Sequence, residues 1–135
     1  MQKNMSTRPL QGAKSILALQ TLMASIATGD LLTGHVPGYR FRITNLWFVQ
    51  NAAVTTGSKA ATLTPYISSV ALTGGVLALT SAACTPAGKV ITDTPITAGN
   101  KGSDTDSITL TWSGVTTFIE GSGTVFLEIE NLDSL

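Results

Sequence analysis

The side chains of this sequence that are able to do chemistry are few and far apart. His35 is the single histidine. A general base needs a nucleophile within reach and a carboxylate to orient it. The surrounding Gly34-His-Val-Pro-Gly supplies neither, so His35 reads as an exposed turn residue. Asp104 and Asp106 alternate in a loop containing Gly and Asn, a spacing that superficially resembles a calcium loop. The closing carboxylate that an EF-hand requires is missing at the right distance, which leaves a solvated loop. Glu128 and Glu130 stand two apart, on one strand face with Phe126. Paired carboxylates are the equipment of a glycosidase, yet two Trp and two Tyr in the whole chain make a poor sugar cleft. An acidic strip facing Arg40 and Arg42 of the same chain, or basic residues of a partner, fits these four residues better. They are the candidates for intersubunit charge pairs.

Arg40 and Arg42 have the chemistry to hold phosphate, but two arginines without a basic cluster do not make a nucleic-acid surface. Cys84 is the only cysteine, which excludes an intramolecular disulfide and a cysteine metal cluster. Within Ala82-Ala-Cys-Thr-Pro it reads as a small apolar filler. No glycine-rich nucleotide loop and no His-Glu-x-x-His pattern occurs. The expectation is a structural or binding protein with no catalytic residues, no cofactor and no metal site.

Composition agrees with that direction. The 135 residues suffice for one domain with a core of its own. Charged residues make up 12% of the chain, about half the share usual in soluble globular proteins, while hydrophobic residues reach 43%. Two readings follow. Thr and Ser hydroxyls solvate the outer face of a β-sandwich, or the low-charge surface is buried against other subunits. Formal net charge is zero, so no global field draws nucleic acid or an anionic membrane. The halves differ, however. Residues 1–59 carry six basic residues against Asp30 alone, and residues 60–135 carry Lys89 and Lys101 against seven acidic residues. A single sandwich that pairs its own strands accounts for this division, and the alternative is a basic N-terminal region meeting an acidic surface on a neighbour.

The elements that would position these residues are strands. Ile108, Leu110 and Trp112 share one face of one run, and Val125, Leu127 and Ile129 share one face of the next, so the chain is expected to end in a β-hairpin or sheet closure. Tyr39 to Asn51 gives the longest strand signal, with Phe41, Ile43, Trp47 and Val49 on one face and Arg40, Arg42 and Thr44 on the other. Leu46 and Phe48 break the polar face near Asn45, which predicts a bulge or a second half buried on both sides. Ser15 to Ala27 has Leu19, Leu22, Met23 and Ile26 at helical spacing, but it lacks an N-cap box and sits in an otherwise all-β chain, so a strand is preferred. Ala60 to Ile67 and the short runs Val76 to Leu79, Lys89 to Ile91 and Thr94 to Thr97 complete about eight strands. The longest apolar stretches are too short and too broken for a membrane-spanning helix, and the N-terminus lacks a secretory core, which predicts a protein used without export. The prediction is an all-β, single-domain antiparallel β-sandwich or jelly roll (residues 15–135) with an extended, polar N-terminal arm (residues 1–14).

Four stretches carry a family resemblance: Asn51-Ala-Ala-Val-Thr-Thr-Gly-Ser-Lys-Ala-Ala-Thr-Leu, Leu72-Thr-Gly-Gly-Val-Leu-Ala-Leu-Thr-Ser-Ala, Ile96-Thr-Ala-Gly-Asn-Lys-Gly, and Phe118-Ile-Glu-Gly-Ser-Gly-Thr-Val-Phe-Leu-Glu-Ile-Glu-Asn-Leu. Together they resemble small capsid decoration, or cement, proteins of tailed bacteriophages. The resemblance implies a β-rich virion protein, made in the host cytoplasm, that sits on the outer surface of the capsid. It would clamp neighbouring major capsid proteins of HK97-like fold, commonly as a homotrimer, with no nucleic acid or membrane partner and no catalytic residues to transfer. On this reading Lys3, Arg8 and Lys14 of the arm are candidates for contact with the capsid or a neighbouring subunit. The competing class is a receptor- or glycan-binding β module of a head or tail fibre, with Trp47, Trp112 and Tyr39 as a platform. Alternation argues against it by placing Trp47 and Trp112 in the core.

Overall fold

The computed structural model describes residues 11–133. Ten strands follow one another: β1 (Lys14–Leu22), β2 (Gly29–His35), β3 (Phe41–Ala52), β4 (Ala60–Ile67), β5 (Val70–Ala71), β6 (Leu77–Thr80), β7 (Val90–Thr92), β8 (Lys101–Gly102), β9 (Ile108–Thr116) and β10 (Ser122–Asn131). A single 3-10 turn, Met23–Ser25, is the only helical element among the described residues. The strands form two antiparallel sheets. In the first, the order is β1-β10-β3-β7 with β8 also on β3, and in the second it is β2-β9-β4-β5 with β6 also on β4. The expected all-β sandwich is therefore the observed fold.

Period-two alternation builds the layer between the sheets. From the first sheet Phe41, Ile43, Leu46, Phe48, Val125, Leu127 and Ile129 point inward, and from the second Leu63, Leu77, Leu79, Ile108, Leu110 and Trp112 meet them. Each is at most 3% exposed, so truncating any one of the leucines to Ala costs about 2–5 kcal/mol. Close approach is helped by two glycines. The ring of Phe41 fills the place a Cβ on Gly102 would take, and the ring of Phe48 does the same at Gly123.

Some sequence expectations change at this level. β9 and β10 do not form a hairpin: they belong to different sheets, and residues 117–121 carry the chain across the sandwich. The connection between β3 and β4 crosses in the same way, so the hairpin-like reading of Thr55 to Lys59 is also replaced. Thr94 to Thr97 is no named strand. It bonds to the 73–76 segment instead, through Thr94 N to Val76 O and Thr97 N to Thr73 O, both at 2.9 Å. Segment 15–27 is strand through Leu22 and then one 3-10 turn, as its lack of a helix cap suggests.

The break near Asn45 is a bulge. Along β10, Glu128 opposes Asn45 while the next residue, Ile129, opposes Ile43, which leaves Thr44 as the extra residue of β3. Its hydroxyl donates to the Glu128 carboxylate at 2.6 Å. Inserting one residue reverses the faces beyond it. Phe41 and Ile43 point inward before the bulge, and Leu46, Phe48 and Gln50 point inward after it. Trp47 and Val49, expected inward with Phe41 and Ile43, therefore lie on the outer face.

Candidate functional site

The outer face of the first sheet collects most of the residues singled out in the sequence. Register sets its rows. Lys14, Glu130, Arg42 and Lys101 lie side by side across β1, β10, β3 and β8, and the next row holds Ile16, Glu128 and Asn45. Then come Ala18, Phe126, Trp47 and Thr92, followed by Gln20, Thr124, Val49 and Val90. The face is thus divided into a charged end and a neutral end.

At the charged end every candidate finds a partner inside the chain. The Arg42 Nε donates to Glu130 Oε1 at 3.0 Å. The Lys14 ammonium lies 3.8 Å from Glu128 Oε1, which also accepts from Thr44. Arg40 Nε donates to Asp133 Oδ1 at 2.7 Å, and its Nη2 to Leu132 O at 3.1 Å. The four residues put forward for intersubunit pairs, Arg40, Arg42, Glu128 and Glu130, are engaged within one protomer. This is the self-pairing of a basic N-terminal half with an acidic C-terminal half. Asp133, the partner of Arg40, was not singled out in the sequence, where nothing distinguishes it from any terminal acid. Such exposed pairs contribute roughly 0–1 kcal/mol each and act mainly by removing free charge from the surface.

Lys14 is also the first residue of β1 and not part of a free arm. Ahead of it Gly12 N donates to Asn131 O at 2.7 Å, and Asn131 N to Ala13 O at 2.9 Å. Lys3 and Arg8 lie outside the described residues.

At the neutral end, the Trp47 and Phe126 rings stack with centroids 5.2 Å apart and 17° between planes. Val49 and Val90 oppose each other beside them, and Leu22 and Val90 stand 68% and 53% exposed, while Ile16, in the row of Glu128, is 53% exposed. The proposed aromatic platform is not assembled here. Trp112 is 3% and Tyr39 8% exposed, both in the core, and Trp47 alone reaches the outer face. Between the end of β1 and the start of β2 a cleft of about 400 Å³ opens, with Trp112, Leu22 and Ile26 in its wall. Its one carboxylate, Asp30, accepts from Thr111 at 2.8 Å and Thr33 at 3.2 Å.

The other candidates lie on separate elements. His35 ends β2 opposite Ile108 and is not in a turn of its own. Asp106 closes its loop by accepting from Ser103 N at 2.8 Å and Ser68 Oγ at 2.7 Å; chiefly the Ser103 backbone bond holds its carboxyl below the usual value. Asp104 beside it is exposed. Cys84 is fully buried, and burial pushes its thiol up to about 11. Asp93 was not anticipated. It accepts from Leu46 N at 3.1 Å next to the bulge, and partial burial raises its carboxyl against that bond. Among the described residues no three of His, Cys, Asp or Glu gather as a metal site. No helix among them is long and apolar enough to cross a membrane.

Neither a family model, nor a curated protein, nor a solved structure matches this chain.

Proposed function

We propose that this protein is a structural virion component that binds the outer surface of a tailed-phage head and stabilises contacts between major capsid proteins. The observation that carries the reading is the outer face of the β1 sheet. Its charges are paired within the chain except for Lys101, which stands beside Arg42 with no ion pair among the described residues, and its remaining rows offer Phe126, Trp47, Val49 and Val90 with hydroxyl and amide groups between them. A sheet face with most of its charge paired and part of its surface apolar is suited to lie against another protein. The separation of His35 and Cys84 from each other and from the Glu128 and Glu130 strip supports the same choice, as does the resemblance to decoration proteins.

The physical task matches these features. A shell under internal pressure fails by separation of subunits, and a protein that binds only the assembled lattice stabilises it by mass action. Several modest contacts held by one oligomer act together through effective concentration. The homotrimer that the resemblance implies would supply that multiplicity, and the arm with Lys3 and Arg8 would add reach to a neighbouring subunit.

Purified protein mixed with undecorated, expanded capsids and imaged by electron cryomicroscopy tests the reading. Saturable density on the outer surface at local symmetry axes is the expected result. Bare shells at saturating protein would overturn it and favour a fibre-borne binding module.

A further inference from the structure

A β-sheet ends in two edges whose free N–H and C=O groups invite another strand, and proteins blunt such edges with short strands, bulges, proline or charge. Most of the edges here are blunted. β7 and β8 are three and two residues long, and β5 and β6 are two and four. β2 carries Asp30, two glycines and two register shifts against β9. β1 has none of these protections beyond its first residue. It pairs with β10 in unbroken register over all nine positions, and from Ser15 to Leu22 it contains no Pro, Gly or charge. Its other side has no strand partner among the described residues.

The side chains along this edge are apolar on both faces. Ile16 and Leu22 project outward at 53% and 68% exposure. Leu17 and Leu19 are only partly buried, as are Leu31 and Leu32 of β2 at the same flank of the sandwich. The flank is an apolar seam with an unsatisfied strand along it.

We propose that the occupant of this edge is a second copy of the chain, joined β1 to β1, antiparallel, about a two-fold axis at Leu19. The sequence of the strand selects this partner and register. Antiparallel pairing about Leu19 sets Ile16 against Leu22 of the second copy and Ala18 against its Gln20 on the outer face. On the inner face it sets Leu17 against Thr21 and Leu19 against its own equivalent. The two most exposed apolar residues of β1 cover each other twice, and no charge enters the contact. Centring the pair on Ala18 instead would place Lys14 against Leu22. The result is an isologous contact that continues two five-stranded sheets into one. This inference goes beyond the capsid reading and does not rest on it, because it is read in solution without capsids. It adds a two-fold contact to the homotrimer that the resemblance implies.

Light scattering on the full chain, with circular dichroism to confirm the fold, tests it. The wild type is expected at twice the mass of one chain, or another even multiple. Ile16→Lys with Leu22→Lys opposes two ammonium groups on each side of the axis, at positions exposed enough to leave the fold intact, and is expected to halve that mass. Ile16→Lys with Leu22→Glu makes the edge self-complementary again; it is expected to restore the wild-type mass at low salt and lose it as salt rises. A wild-type mass of one or three chains overturns the proposal, as does a mass that the double lysine variant leaves unchanged. Loss of association on deleting residues 1–10 would also overturn it, by assigning the contact to the arm.

Discussion

Trp47 stacks on Phe126 across neighbouring strands of an exposed sheet face, at 5.2 Å between ring centroids. The pair exists because β3 takes up Thr44 as the extra residue of a bulge, which keeps Trp47 off the core face and on the row of Phe126. A double-mutant cycle with Trp47→Ala and Phe126→Ala, followed by urea unfolding, should return a coupling of about 0.5–1.5 kcal/mol. Strict additivity would mean that the rings are neighbours without interaction. If the face also binds the capsid, either variant should lower occupancy while remaining folded.

Deletion of Thr44 should be tolerated nearly as well as its replacement. Thr44→Val removes one hydroxyl that donates to Glu128, a loss of about 1 kcal/mol. Removing the residue closes the bulge and makes the ladder regular, and it leaves Phe41, Ile43, Leu46 and Phe48 on the inner face and Trp47 on the outer, because Ile43, Asn45 and Leu46 then alternate in, out, in. Chemical denaturation of the two variants should therefore give similar stabilities. A loss on deletion beyond about 3 kcal/mol, the scale of one buried Phe, would show that the bulge itself is needed to hold these faces.

Cys84 should behave as an inert thiol. Its side chain is fully buried, and burial lifts its pKa from 9.0 to about 11, opposed by the Thr80 backbone bond and the charge of Lys89. At mildly alkaline pH the thiolate fraction is then roughly 100-fold below that of the unfolded chain. Reaction with an aromatic disulfide reagent should be slower by at least that factor in the native protein, and should become fast in denaturant. Rapid native labelling would place the 81–88 loop open to solvent.

Strict alternation makes strand faces legible in the sequence. The faces of β9 and β10 follow from strict alternation at Ile108, Leu110, Trp112 and at Val125, Leu127, Ile129, because one buried face imposes period two on any strand. Sheet membership does not follow from alternation. The loops 53–59 and 117–121 look like hairpin turns locally, yet both cross the sandwich, a choice made by long-range packing. Trp47 was assigned inward because a one-residue insertion reverses a pattern without changing its period, although the apolar Leu46 and Phe48 marked the place. The charge pairing is legible as an acidic strip at Glu128 and Glu130 that suits Arg40 and Arg42, with pairing inside the chain and across subunits both open. Its geometry needed the β10 to β3 register, which sets Glu130 opposite Arg42.

Glu120 gives the chain a distinct acid response. Its carboxylate accepts from Thr56 Oγ1 at 2.6 Å and from Thr55 Oγ1 at 2.8 Å. Those bonds, that of Thr56 foremost, lower its pKa from 4.5 to about 2. A carboxyl depressed on folding adds stability that is fully present above its unfolded value. That contribution is lost as pH falls from about 4.5 toward 2. Carboxyl-carbon NMR should find the Glu120 midpoint near the lower value, and Thr55→Ala with Thr56→Ala should move it up toward 4.5. The stability gap between wild type and this double variant, measured by urea unfolding, should be largest near neutral pH and shrink through the acid window. Glu120 sits in the crossing from β9 to β10, and its partners sit in the crossing from β3 to β4. Shrinkage with acid would identify this bond set as the tie between the two crossings, whereas a gap constant with pH would assign the threonines a packing role alone.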